Sequence, residues 1–431
     1  MISVSIFRMF HVSPAMLTGF YVLLAACGVL ARTLPPRLRR AFLALAGLAF
    51  VARFFSATMA PALAALALLL WRVCDGGETL DARRTLAAAA VVAFGLGPAC
   101  FGGFFAGYTH GHVRLQDLLT VMFLANMLKK SVYYVYERRA GRARSPAAGD
   151  FLAYFFALPF TVGSVIFAPS EAASRWEARS RRDDLLSGLR TLALAALHAG
   201  ACWLLIRGGW TRAYDEQFLA RAAALRWWQL WLIFVSTYVG VYLHRYALDQ
   251  TCVGAARLLG WDVRGNYDWA LFPADYADYW RRWNIHFREL LMALFYYPSA
   301  LRLARRRPGR RETNLIAACF VTFAGAAVFN FVLHAAFYRP GFGAAYYNLA
   351  VRLALYEGFA WVMVSAAGIA EMRRRAAGKP EPGRWRRAAG VAITLLLRAG
   401  SVPIYLTDVP GLSWTVPVRL IAAAFGVPFR R

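Results

Sequence analysis

Two polar side chains set among apolar runs carry the chemistry this chain could perform. His334 closes F-N-F-V-L-H inside the apolar segment from Asn314 to Phe337. Imidazole titrates near neutral pH, and its neutral form can take the proton of an attacking hydroxyl. An ionisable residue within an apolar segment marks either a functional pathway or a paired structural site. His334 therefore reads two ways, as a general base or as a helix-packing histidine bonded to a neighbouring span. Asn330 lies four positions earlier, so on a helix the two share a face. It would either fix the tautomer of the ring or bond across to another span. Asn284 ends W-R-R-W-N. Its amide can donate to an oxygen that gains charge and can orient an imidazole through its carbonyl, but it cannot act as a base. A cap or turn role is the alternative.

Around Asn284 the candidates multiply. Arg281 and Arg282 stand between Trp280 and Trp283. Two guanidinium forks would bind phosphate groups, such as those of a lipid headgroup, or would snorkel to the interface within an aromatic belt. His286 is two residues past Asn284 and points elsewhere on a helix; in an irregular segment it competes for the role of base. His244 and His198 lie in apolar runs and would line a cavity. His110 and His112 lack a nameable third and fourth ligand, so a loop and no metal site is the expectation. Asp275, Asp278 and Glu289 flank the tryptophans and are expected to pair with the arginines.

What must hold these residues is a membrane bundle. Of 431 residues, 59% are hydrophobic and only 17% charged, more apolar surface than one water-soluble core buries. The reading is a single all-α integral-membrane domain over residues 1–431, multi-pass, with membrane lipid around it. The net charge of +27 gathers in short loops between apolar runs, at Arg32 to Arg40, Lys129 to Arg144, Arg175 to Arg190, Arg302 to Arg311 and Arg373 to Arg387. Such clusters hold loops against an anionic cytoplasmic leaflet, and nucleic acid is not the expected partner. The six cysteines form no C-x-x-C pair and behave as small hydrophobes. About eleven to thirteen apolar runs qualify as transmembrane or re-entrant. The last two basic clusters put the loop Tyr338 to Gly343 on the opposite side, with His334 late in its helix. A transporter would show Gly or Pro breaks in two similar halves, and no internal repeat is visible.

Asp275 to Pro298 packs W-R-R-W-N and a tyrosine-rich apolar run up to a proline, and a helix with a late histidine follows. This order resembles the membrane-bound O-acyltransferase family, bacterial type. G-A-A-R-L-L-G-W-D-V-R-G-N-Y, Gly254 to Tyr267, is similar to the stretch that leads into the tryptophan motif there, and F-F-A-L-P-F-T-V-G-S, Phe155 to Ser164, to an earlier apolar segment. The resemblance covers residues 150–340. It implies a bundle around a central tunnel, with the family's catalytic histidine mapping onto His334 and its paired polar residue onto Asn284. It implies an acyl-CoA or acyl carrier protein donor, no bound cofactor, and as acceptor a hydroxyl of an exported glycan, a lipid or a small metabolite. The bacterial inner membrane would be the location. Two positions depart from the bacterial glycan-modifying pattern: Asn284 stands where a histidine is usual, and His334 sits in V-L-H-A rather than L-W-H-G. A non-catalytic relative that binds lipid or a partner is the alternative they leave open.

Overall fold

The structure, a computed structural model, describes residues 14–54, 57–96, 115–160, 165–171, 182–208, 216–335, 343–406 and 413–429. These are helical, with no strand among them. Among the described residues four helices are long and apolar enough to cross a membrane, at Arg182–Arg207, Arg311–Val332, Tyr347–Ala376 and Arg384–Ile404, with shorter apolar helices at Val22–Thr33 and Met59–Cys74. The chain divides into two compact units, one of residues 11–200 with 245–266, the other of residues 201–244 with 267–431.

The first unit holds α1 (Pro14–Thr33), α2 (Pro36–Phe54), α3 (Met59–Cys74), α4 (Ala82–Ala90, prolonged by a π turn Val91–Leu96), α5 (Leu115–Arg139), α6 (Ala148–Phe156) and most of α7 (Arg182–Arg207). Pro36 opens α2, where its missing N–H is not needed. Asp81 caps α4, its Oδ1 accepting from the Arg84 N–H at 2.7 Å. The apolar run Phe151 to Ala168 does not become one long helix: α6 stops at Phe156 and a 3-10 turn, Leu158–Phe160, follows at Pro159. Several cations expected in leaflet-facing loops are instead buried here. Arg138 donates to the carbonyls of Cys74 (2.9 Å), Gly77 (3.1 Å) and Ala143 (2.8 Å). Lys130 donates to Tyr154 O and Phe155 O at 2.9 and 3.2 Å, and Arg39 to Ala31 O and Leu259 O at 3.2 and 3.1 Å. Helix ends leave carbonyls unpaired, and these cations close them.

The second unit holds α8 (Glu216–Ala222), the first part of α9 (Trp227–Leu258), α10 (Tyr276–Arg282), α11 (Ile285–Leu291), a π turn Met292–Tyr296, α12 (Tyr297–Arg306), α13 (Arg311–Ala335), α14 (Gly343–Ala376), α15 (Arg384–Leu406) and α16 (Thr415–Ala423). Helix α9 takes in G-A-A-R-L-L and ends where Gly260 adopts φ +81°, with the Trp261 N–H bonded back to Ala256 O at 3.1 Å, a left-handed helix stop. Helices α13 and α14 form an antiparallel pair. The Arg373 fork grips Glu312 at 2.8 and 2.7 Å, and a Cβ on Gly368 would meet Leu315 at 2.8 Å. The final run, Trp414 to Val427, yields only the nine residues of α16. The loop Tyr338 to Gly343, on which the sidedness expectation rests, lies outside the described residues up to its last glycine.

Candidate functional site

The tryptophan motif is built on its own acidic residues. Asp275 caps α10, its Oδ1 accepting from the Asp278 N–H at 2.7 Å. One turn on, Asp278 Oδ2 accepts from Arg282 Nε and from the Ala274 N–H, both at 2.9 Å, while its Oδ1 accepts from Arg281 at 3.4 Å. Burial pushes the Asp278 carboxyl up, but the Ala274 N–H and the Arg282 guanidinium outweigh it and hold the group below its usual range. The expected pairing of acid with arginine thus holds for Asp278, whereas Asp275 serves as a cap. Arg282 also exchanges bonds with Asp268, its carbonyl accepting from the Asp268 N–H at 2.9 Å. Arg281 points out, its side chain 61% exposed.

After α10 the chain must turn sharply to begin α11, and Asn284 makes that turn in the left-handed region, φ 47° and ψ 54°. Among residues with a Cβ, asparagine tolerates this conformation best. Asn284 precedes α11 as a cap would, yet its side chain makes no capping bond, and the residue is buried. The turn role is therefore a backbone role, and the amide is not used to cap the helix. His286, two residues on, is buried within α11, and His244 is buried in α9.

Trp283 is core. It is 3% exposed and meets Tyr267 (5.0 Å), Tyr279 (5.5 Å), Tyr242 (6.1 Å) and Tyr238 (6.3 Å), ring centroid to ring centroid. Trp280 is half-buried and packs edge-on against Phe323 of α13 at 5.4 Å. Further along, Phe287 of α11 reaches Phe329 of α13 at 6.1 Å. The motif therefore runs along α13 toward its last turn, where His334 stands. The backbone of His334 lies in α13; its ring is outside the described residues, as are His110 and His112. Asn330, one turn before His334, donates to Glu357 Oε1 of α14 at 2.8 Å, so it bridges two spans. His198 belongs to the other unit, where its Nδ1 lies 2.7 Å from Leu194 O and its ring stacks on Tyr246 at 4.0 Å.

One buried residue of this unit was not singled out by the sequence. Arg398 of α15 is 4% exposed. It donates through Nη1 to Tyr276 Oη at 2.7 Å and through Nη2 to Tyr356 Oη. Its guanidinium carbon lies 4.4 Å from the Tyr279 ring centroid, 5.1 Å from Tyr356, 5.6 Å from Tyr276 and 5.9 Å from Trp280. A cation inside such a cage is held by ring quadrupoles as well as by hydrogen bonds. Burial pushes the Tyr276 and Tyr279 phenols up, so they are neutral at pH 7 and do not cancel the charge. The carboxyl beside the cage is Glu357, 2% exposed and next in sequence to Tyr356. The signal was present, a lone arginine in the apolar run T-L-L-L-R-A-G-S. Intramembrane charges of this kind are functional or paired.

The arrangement offers an amide on a strained turn, a fixed buried cation, and a carboxyl tied to the helix that carries a histidine. Among the described residues no three His, Cys, Asp or Glu side chains gather as a metal site. Compared with known proteins, the chain matches no family model and no curated protein.

Proposed function

We propose that the chain is a membrane O-acyltransferase of the bacterial inner membrane, which moves an acyl group from a thioester donor, acyl-CoA or acyl carrier protein, to a hydroxyl of an exported glycan, a lipid or a small metabolite. The observation that supports it most is the packing of the W-R-R-W-N turn on the helix that carries His334, Trp280 on Phe323 and Phe287 on Phe329. Residues about fifty positions apart in the sequence thereby share one unit of the fold.

In this reading neutral His334 takes the proton of the acceptor hydroxyl as its oxygen attacks the thioester carbon. The amide of Asn284 donates to the carbonyl oxygen as it gains charge. The tetrahedral intermediate collapses with loss of the C–S bond, and the imidazolium returns its proton to the leaving thiolate. Asn330, held by Glu357, and Arg398, which binds the tryptophan helix through Tyr276, are positioning residues.

The test uses full-length protein purified in detergent with labelled acyl-CoA and labelled acyl carrier protein, following hydrolysis and transfer. Wild type is expected to release free thiol. His334→Ala should lose roughly 10²–10⁴-fold in rate and Asn284→Ala roughly 10²–10³-fold. Full activity in His334→Ala ends the proposal. Retention of labelled donor by a wild type that never turns it over assigns the chain to binding instead.

A further inference from the structure

A groove of about 1150 Å³ opens in the second unit between the start of α9, the outer face of α15 and α16. That is slightly above the roughly 300–1,000 Å³ of ordinary ligand pockets. Its walls include Trp227, Trp231, Phe359, Leu396, Gly400 and Phe425. The hydroxyl in the lining, on Ser401, is already spent, donating to Arg398 O at 2.8 Å. A ligand here is offered almost nothing polar, and hydrocarbon is what such a wall accepts.

Its surroundings narrow the occupant. One wall is α15, whose stretch Arg384–Ile404 is long and apolar enough to lie within a bilayer. Water in an apolar groove at that depth finds no partners. At one end Trp227 and Trp228 are 58% and 43% exposed, directly after exposed Arg226 and, further back, exposed Arg221. Tryptophan with arginine is the pairing found at the headgroup level of a membrane. Cations at the mouth and hydrocarbon within complement a molecule with a phosphate at one end and a chain behind it. A second copy of this chain, with its net charge of +27, would bring like charge to the same arginines.

We infer that this groove binds one chain of an anionic membrane phospholipid, with the lipid phosphate at Arg226. Gly400 keeps it open, since a Cβ there would stand 3.2 Å from the Trp231 ring. Trp231 in turn meets Phe425 edge-on at 5.4 Å, which makes the floor. The inference does not depend on acyl transfer. It does touch the candidate site, because Phe359 lines the groove and also packs edge-on against Tyr276 at 5.6 Å.

The test titrates full-length, delipidated protein in detergent with phosphatidylglycerol brominated along its chains, reading quenching of tryptophan. Saturable quenching at one lipid per chain is expected, with its amplitude largely removed in Trp231→Phe. Gly400→Leu on α15 and Ala424→Leu, at the residue that follows α16, fill the groove from two sides. Each should weaken binding at least tenfold while a cooperative thermal transition shows that the variant is folded; if one fails to fold, the other decides. Arg226→Gln should weaken binding about fivefold at low salt. Quenching that rises without saturation, or that both filled variants leave unchanged, overturns the assignment. So does a lipid-free wild-type dimer that Gly400→Leu and Ala424→Leu dissolve.

Discussion

The two units bury positive charge in opposite ways. In the first, Arg138, Arg39 and Lys130 donate to main-chain carbonyls where helices end and turn. In the second, Arg398 donates to the phenols of Tyr276 and Tyr356 and is walled by four aromatic rings. A carbonyl clamp satisfies groups the backbone would otherwise leave orphaned, so its work is to close a turn. A cation held by side chains from two other helices fixes those helices relative to one another, and here one of them is the tryptophan helix α10. The contrast separates a buried charge that closes main-chain turns from one that ties side chains of separate helices together.

The sharpest way to break the contrast is to remove both cations in turn. Arg398→Leu leaves Glu357 without its nearby positive charge and two phenols without a donor; losing one member of a buried charge cluster costs about 3–5 kcal/mol. The melting temperature should fall, and acyl-transfer rate per folded molecule should fall more than tenfold, with Arg398→Lys recovering part of the stability but little of the rate. An Arg398→Leu variant as stable and as active as wild type would refute the cage. Arg138→Leu should cost about 3 kcal/mol, at 1.5–3 kcal/mol per bond from a charged donor with part of the loss recovered by water. Its surviving folded fraction, separated by gel filtration, should keep the wild-type rate. Equal rate losses in the two variants would erase the distinction drawn here.

Smaller changes sharpen it. The folded pKa of Asp278 is depressed, so its contribution is complete above the unfolded aspartate value of about 3.9 and disappears as pH falls through the folded value. Asp278→Asn should therefore cost roughly 1–3 kcal/mol at pH 7 and progressively less as pH falls through the folded value, a convergence visible in paired denaturation curves. A gap that persists in acid would mean that the charge is not what ties α10. At Asn284 the expected effect on stability is smallest and the most informative. Alanine pays about 1–2 kcal/mol for the left-handed turn, whereas glycine pays little. Both should lose transfer, so a fully active Asn284→Gly would make the residue a turn former and nothing more.

Much of the architecture was legible in composition. The all-α reading follows from runs of apolar residues, and α7, α13, α14 and α15 each contain such a run. Runs that misled did so for local reasons. The one after Phe151 gives way at Phe156 to a 3-10 turn containing Pro159, and the tyrosine-rich stretch holds a π turn, Met292–Tyr296, between two short helices. The site divides in the same manner. The pairing of Asp278 with its arginines is a matter of i+3 and i+4 spacing and could be read directly. The surroundings of Trp283 could not be read, because its tyrosine neighbours are brought by the fold from α9 and from the loop before α10.

The sequence by itself determined that this chain is a helical membrane protein and which segment is too polar to face lipid. Both follow because transfer free energies are properties of single residues and add along the chain. Only the tertiary structure decided that Arg398 is caged by residues as far as 122 positions away, that Asn284 turns left-handed without spending its amide on a cap, and that a groove opens beside Gly400. The partner of a buried charge is whichever donor or ring packing delivers, and no periodicity within one helix encodes what arrives from another.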